Sequence, residues 1–247
     1  MTLEPDTVKY TVPRPTAAEA EAIRRRFADA WGQMGAAWGV PPSTAAVQGY
    51  LLVHGGPLTD AELQQALGLS HRAVRLALED CEAWGIVRRA AEPRRSGRRG
   101  PAGRAWLAVD DHWEWFHRVI AGRKQREGDP VIAILEGCVV EAQALDGGDE
   151  GAELRRRVGS LLEFVRQFDH ALSAVLRADT DVMAKLFRVM AAQDDDALDD
   201  LFAKLATLPK AELADAVGAL ARLPRGTVGR MLRLATRPTV IRLLGGR

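Results

Sequence analysis

The sequence has few cysteines and no long hydrophobic run. Its 247 residues include two cysteines, Cys81 and Cys138, which excludes a disulfide framework and is typical of a reducing compartment. No apolar run approaches the ~20 residues of a membrane span, and the polar N-terminal stretch has no signal-peptide core. We therefore expect a cytoplasmic protein without membrane contact. Cys81 is expected in the core, with a redox switch as the alternative.

Sequence patterns of catalysis and metal binding are also missing. The chain has no Gly-Lys dipeptide of a phosphate-binding loop and no G-x-S-x-G, H-E-x-x-H or paired C-x-x-C pattern. His112 and His117 lie five positions apart, so on a helix their rings diverge by about 140°. We expect no catalytic residues, no metal and no cofactor, and surface positions for both histidines.

Charge is balanced over the chain but concentrated in one segment. The net charge is +1, whereas seven arginines and one glutamate give a local charge of +6 between Ile86 and Arg104. The tip of this segment, 92–104, is also rich in glycine and proline, which favours a loop. Such a loop suits phosphate or minor-groove contact; a solvated loop is the alternative. The arginines are Arg88, Arg89, Arg94, Arg95, Arg98, Arg99 and Arg104.

Two helices joined by a tight turn are predicted immediately before this basic segment. Thr59 and Glu62 have the spacing of a capping box at the start of the first helix. Gly68 supplies a left-handed residue at its end, and Ser70 caps the second helix after one intervening residue. Because the connection is so short, the two helices must cross steeply.

The second helix, predicted over 70–84, has one apolar and one basic face. Val74, Leu78 and Cys81 form its core face. A hairpin of strands at 86–87 and 105–109 follows. The N-terminal end of the second helix carries side chains of the kind that reach base edges and phosphates in a major groove, namely Ser70, His71, Arg72 and Arg75.

Two stretches carry a family resemblance. ALEDCEAWGIVRR (77–89) and FADAWGQMGAAWGVPPSTAAVQGYLL (27–52) resemble the GbsR/MarR group of bacterial transcriptional regulators, and the resemblance covers roughly residues 20–190. It implies a winged helix-turn-helix that binds double-stranded DNA as a homodimer and responds to a small-molecule effector. Gln64 and Cys81 depart from the family's usual alanine and leucine, and the wing is longer and richer in arginine.

An amphipathic helix is predicted before the helix-turn-helix. Its bulky stripe packs either against its own winged helix or also across a dimer interface, as the resemblance implies, with Phe27 and Trp31 as dimer contacts. Gly39 closes this helix, and a second helix runs from Pro41 to about His54. The stripe consists of Ala20, Ile23, Phe27, Trp31, Met34 and Trp38.

A helical region is predicted after the wing. Trp113, Trp115 and Phe116 either wall an effector pocket or form a plain core cluster. A charged linker, GRKQREGD, precedes a helix that Asp129 caps and that is apolar enough to be buried.

The most regular element is an apolar repeat of 3.5 residues, which requires a partner helix along its length. A second copy of the chain is the preferred partner, and a bundle within the chain is the alternative. The repeat consists of Leu154, Val158, Leu161, Val165, Phe168, Leu172 and Val175.

The predicted fold is mainly α: a winged helix-turn-helix with a small β-hairpin wing, a helical dimerisation region and a C-terminal helical extension. In the extension, prolines 209, 224 and 238 each start a short helix. The predicted function is a sequence-specific DNA-binding transcriptional regulator that acts as a homodimer; the alternative is a winged-helix module that binds another protein. The predicted domains are a flexible arm (1–16), the DNA-binding domain (17–110), the dimerisation or effector region (111–193) and the extension (194–247).

Overall fold

The computed structural model describes residues 16–91, 94–95, 102–145 and 148–238. Apart from Thr16, the predicted N-terminal arm lies outside these residues. The helices are α1 (Ala17–Ala37), α2 (Pro42–His54), α3 (Asp60–Leu67), α4 (His71–Ala83), α5 (His112–Arg123), α6 (Asp129–Gln143), α7 (Asp149–Arg177), α8 (Thr180–Ala191), α9 (Asp195–Thr207), α10 (Lys210–Arg222) and α11 (Arg225–Ala235). The strands are β1 (Leu58–Thr59), β2 (Val87–Arg89), β3 (Arg94–Arg95), β4 (Ala102–Gly103) and β5 (Ala105–Ala108).

The chain divides into two compact units between Ala184 and Lys185, within α8. The domain boundaries drawn from sequence, after residues 110 and 193, stay predictions. In the described part of the second unit, α9, α10 and α11 are short amphipathic helices. Pro209 is the N-cap residue of α10, and Pro224 directly precedes α11, so these two prolines start helices as predicted.

The helix-turn-helix forms through the local signals predicted for it. The Thr59 hydroxyl accepts a hydrogen bond from the Glu62 backbone N–H at 3.3 Å, and the Glu62 carboxylate accepts one from the Thr59 backbone N–H at 2.8 Å. Gly68 has φ of 65°, the left-handed region that glycine tolerates best. The Ser70 hydroxyl accepts from the Ala73 N–H at 3.2 Å. These caps confirm both helix starts.

A three-stranded antiparallel sheet in the order β1-β5-β2 packs beside these helices. The predicted hairpin is confirmed, since β2 pairs with β5 in the register Val87↔Ala108. β1 was not predicted; it pairs with β5 through Leu58↔Trp106. A second ladder, β3 with β4, lies within the stretch predicted as a loop, so that prediction is wrong for these four residues.

One core joins α1, α2, the helix-turn-helix and the sheet. Its centre is the face of α4 predicted to be apolar, where Val74, Leu78 and Cys81 are fully buried. Burial of such side chains contributes roughly 1.5–3 kcal/mol each to folding. The other core residues are Ala28, Val47, Tyr50, Leu51, Leu58, Leu63, Ala77, Val87 and Trp106.

Close approach between α1 and α2 depends on glycine. An ideal Cβ added to Gly49 would lie 2.7 Å from Cδ1 of Trp31, a ring that a hydrogen bond to Gln48 fixes in place. Gly49→Ala is therefore expected to lower the free energy of unfolding by about 1–3 kcal/mol through overpacking. Urea unfolding monitored by tryptophan fluorescence measures this change.

Gly159 of α7, on the side of the helix opposite Leu161 and Phe168, provides the matched control. Apart from the backbone of its own helix, no atom of the described residues lies within 4 Å of its ideal Cβ, so Gly159→Ala is expected to stabilise the helix by about 0.5–1 kcal/mol. Equal stability of the two variants would contradict the packing described for Gly49.

Two predictions for the region after the sheet are wrong. The segment GRKQREGD is not a linker: a π-helical turn, Lys124–Gly128, connects α5 to α6 without a break, and Asp129 is therefore helical rather than an N-cap. α6 is also not buried. Although its composition is apolar, several of its large side chains are exposed in this single chain. Ile134 is 65% exposed and Val140 is 66% exposed.

α6 and α7 pack against each other and tie back to α5. Leu162 of α7 and Ala142 of α6 are the buried residues of the pair. Lys124 forms an ion pair with Asp169 of α7 at 2.9 Å. His117 Nε2 lies 2.8 Å from the Leu176 carbonyl oxygen, so this histidine, predicted at the surface, joins α5 to α7.

Candidate nucleic-acid interface

The N-terminal half of α4 presents a basic, exposed surface. His71, Arg72 and Arg75 are exposed, whereas Val74 between them is fully buried. Ser70, the remaining predicted contact on this helix, is exposed and serves as its N-cap. Free backbone N–H groups and the helix dipole make such a terminus favourable for anions. The sequence thus places four potential donors around one helix start.

The three basic side chains of this surface differ in their surroundings. Arg75 pairs with Glu79 one turn later, Nε to Oε1 at 2.9 Å, which holds its guanidinium along the helix. Arg72 pairs with no carboxylate of the described residues, so its five donors are available. Leu76, which sequence analysis did not single out, is 49% exposed on the same helix.

The base of the hairpin is fixed against α3 and α4. Arg89 pairs with Glu82 of α4 at 2.9 Å, and its guanidinium carbon lies 5.4 Å from the ring centroid of Trp106. The Trp106 indole N–H donates to the Asp60 carboxylate at 2.7 Å. These contacts position the basic hairpin relative to α4. They also show Arg89 engaged within the chain, although it is exposed, as are Arg88 and Arg104.

The structure describes two of the remaining four predicted contacts, and only through their backbones. The backbones of Arg94 and Arg95 form β3 and pair with Gly103 and Ala102. Arg98 and Arg99 lie outside the described residues. The structure therefore brings the start of this basic segment next to the helix-turn-helix.

An exposed apolar face runs along α7. We call Leu154, Leu161, Phe164, Phe168 and Val175 the α7 stripe; all five are 43–64% exposed. Helical geometry places them within one quarter of the helix circumference. Contiguous apolar exposure of this kind marks an interaction surface.

The α7 stripe contains only part of the predicted repeat. Val158, Val165 and Leu172, also predicted to lie at the seam, are half-buried. Phe164 falls outside the 3.5-residue repeat and was missed, although it is 64% exposed. Exposed Val131, Ile134 and Val140 of α6 were missed as well, because their apolar composition predicted burial.

Phe27 and Trp31 of α1, the other predicted dimer contacts, pack within their own chain. Their rings stack with centroids 5.3 Å apart, and Trp31 also lies 5.6 Å from the ring of Trp115. The Trp31 indole N–H donates to Gln48 Oε1 at 2.6 Å. Both side chains are half-buried. These contacts correspond to the alternative in which α1 packs against its own domain.

The two cysteines occupy different environments. Burial, with a smaller contribution from the charge of Asp80, raises the pKa of the Cys81 thiol to about 12. Cys81 is thus a core thiol, as predicted, and its Sγ lies 3.6 Å from the Thr44 carbonyl oxygen. Cys138 is exposed on α6. Within the described ranges, no group of three or more His, Cys, Asp or Glu side chains could hold a metal ion.

None of the helices that the structure describes combines the length and apolar character needed to cross a membrane.

Comparisons with known proteins add little to this geometry. No family model matches the chain, and no curated protein is similar to it. A solved structure described as the crystal structure of a transcriptional regulator is 15% identical, with 62% of this chain and 95% of that chain covered at a TM-score of 0.45.

Proposed function

We propose that this protein is a sequence-specific DNA-binding transcriptional regulator that acts as a homodimer. Its helix-turn-helix and hairpin form a winged helix in this proposal, with α4 as the recognition helix and the arginine-rich hairpin as the wing. The observation that carries the proposal is the capped start of α4, where Arg72 is exposed without a carboxylate partner beside a segment of local charge +6.

Recognition in this proposal divides between the two basic elements. Arg72 and Arg75 reach base edges, since arginine forms bidentate hydrogen bonds to guanine in the major groove. Leu76 is suited to apolar contact with a thymine methyl group. The wing arginines contact phosphates, which supply affinity without sequence information. His71 and Ser70 contribute further donors at the helix start.

The homodimer is supported by the α7 stripe. A single winged helix reads one half-site, whereas a two-fold dimer presents two recognition helices about 34–36 Å apart, one turn of DNA. Exposed Ile134 and Val140 on the neighbouring α6 enlarge the apolar surface that a partner could cover. A two-fold interface uses the same surface on both chains. We assign the dimer interface to this surface, whereas α1 packs against its own domain.

The wing contributes a prediction on salt dependence. Arg94→Ala combined with Arg95→Ala is expected to weaken binding to every DNA sequence alike, because phosphate contacts carry no sequence information. The slope of log K against log salt should flatten by roughly 0.9 for each phosphate that the variant no longer neutralises. Fluorescence anisotropy of a labelled random duplex at several salt concentrations measures the slope.

A charge-matched variant controls for the general loss of positive charge. Arg156→Ala combined with Arg157→Ala removes two exposed arginines from α7, and its salt slope should equal that of the parent protein. If both double variants give the parent slope, the wing does not contact phosphate.

A further inference from the structure

The three described helices of the C-terminal extension, α9, α10 and α11, have no core of their own. No side chain that the structure describes in these helices is buried. Each helix has 11–13 residues, and isolated helices shorter than ~12–15 residues are marginal in water. A partner that covers these helices would therefore stabilise them.

Each extension helix carries an exposed apolar face. On α10, Leu213, Val217 and Leu220 are 39–59% exposed, and helical geometry places them within about 60° of one another. Leu201 and Leu205 of α9 and Met231 and Leu234 of α11 are exposed in the same way. Apolar exposure of this extent marks an interaction surface.

The charge of the extension helices changes from negative to positive along the chain. Four aspartates and one lysine give α9 a charge of −3. α10 is neutral, with two acidic and two basic residues, and α11 has three arginines, which give +3. No acidic residue follows Asp215 in the sequence. The charges of α9 and α11 are therefore equal and opposite, with the neutral α10 between them in the chain.

This distribution fits a second copy of the same extension. In an antiparallel two-fold pair, α9 of one chain faces α11 of its partner, and the two α10 helices meet at the axis. Both pairs of outer helices then join opposite charges, whereas a parallel pair would join like charges, which is costly. A uniformly anionic partner, such as nucleic acid or an acidic membrane, would attract α11 but repel α9.

We propose that the extension is a self-association surface, in which α9, α10 and α11 of two chains pair antiparallel through their apolar faces. The charges of α9 and α11 select this arrangement, and the apolar area supplies the affinity. Pairing must order marginal helices, which weakens it, so we expect association on the order of hundreds of micromolar. The surface is separate from the α7 stripe and requires no DNA, so it goes beyond the proposed function.

Cross-linking between single cysteines tests the pairing in the 247-residue chain. Val217→Cys places a thiol on the apolar face of α10, and Cys138→Ser removes the exposed native thiol, while Cys81 is buried. Ala219→Cys is the matched control, since it is exposed but lies about 160° around α10 from Val217. With bismaleimidoethane at hundreds of micromolar protein, Val217→Cys should give at least about five-fold more covalent dimer than Ala219→Cys, because a two-fold axis brings identical positions together.

Charge reversal tests whether the partner is a second copy. Asp199→Lys with Asp200→Lys changes α9 from −3 to +1, and Arg230→Glu with Arg233→Glu changes α11 from +3 to −1. In either variant alone, α9 and α11 of two chains carry the same sign, which should lower Val217→Cys cross-linking about ten-fold. In a mixture of the two variants, both contacts again join opposite charges. Cross-linking between differently tagged chains should therefore return to the parent level.

The outcomes separate this inference from other occupants and from the proposed function. Equal cross-linking of Val217→Cys and Ala219→Cys would overturn the pairing, and cosedimentation of that protein with phosphatidylglycerol vesicles would assign the apolar faces to a membrane surface instead. A mixture that does not restore the link would overturn the antiparallel arrangement. The link should persist in chains that also carry Phe168→Glu, and its loss there would overturn a surface separate from the α7 stripe. If the protein binds no DNA, the proposed function fails, while cross-linking still decides the pairing.

Discussion

Phe168→Glu is expected to convert the proposed homodimer into monomers and to reduce DNA binding at least ten-fold. Phe168 lies in the middle of the α7 stripe and is 62% exposed in the single chain. At a two-fold interface each substitution occurs twice, so two carboxylates would be buried without partners. Burying an unpaired charge is among the largest single-residue penalties. Leu161→Glu should act in the same way.

Sedimentation at micromolar concentration measures this effect. Ala174→Glu is the matched control, since it adds the same charge to an exposed position of α7 that helical geometry places about 80° or more from every residue of the stripe; this variant should remain a dimer. Phe168 is not part of the winged-helix core. The unfolding temperature of the winged-helix domain should therefore be the same in all variants as in the parent protein. A monomeric parent protein, or a dimeric Phe168→Glu variant, would contradict the assigned seam.

Arg72→Ala is expected to weaken binding to the specific DNA site by roughly 5- to 150-fold, which corresponds to about 1–3 kcal/mol for a bidentate base contact. Binding to random DNA should change much less, because nonspecific affinity comes mainly from phosphate neutralisation. The measured quantity is the ratio of the two affinities. Arg75→Ala should lower the same ratio. To contact a base, Arg75 must leave Glu79 or share its guanidinium between Glu79 and the base.

Arg156→Ala controls for charge in this comparison. Arg156 is exposed on α7 and paired with Glu153 at 2.8 Å, so its removal changes the net charge equally without touching α4. Its ratio of specific to random affinity should equal that of the parent. The role assigned to Arg72 is wrong if Arg72→Ala also keeps the parent ratio.

The elements predicted best from sequence are those determined by neighbouring residues. The caps at Thr59 and Ser70 and the left-handed Gly68 act over three or four positions, and the structure has all three. β1 was missed because two residues carry almost no strand signal of their own. Its existence depends on pairing with β5, more than forty residues later.

Burial was predicted less well because composition does not say what covers an apolar surface. α6 is apolar enough to be buried, yet Ile134 and Val140 face solvent in the single chain. The repeat in α7 likewise predicted a partner helix without identifying it. Phe164 was overlooked because a 3.5-residue repeat defines a narrow seam, whereas the exposed face includes the neighbouring positions.

The packing that buries Gln48 Nε2 and Trp115 Nε1 was beyond sequence analysis for a related reason. Trp115 was recognised as either a pocket wall or a core residue, but Gln48 gave no signal at all. Their juxtaposition depends on the packing of four helices that are distant in the sequence. Only the three-dimensional arrangement reveals that both donors are buried and lack an acceptor among the described residues.

Selection from a random pool of DNA duplexes by the 247-residue chain tests the central claim most directly. A homodimeric winged-helix protein is predicted to enrich an inverted repeat whose half-sites lie about 10–10.5 base pairs apart, centre to centre. Sequencing the bound duplexes reads both the half-site and the spacing. Recovery of a single half-site would contradict the homodimer, and a bound pool with the composition of the starting pool would contradict sequence-specific DNA binding.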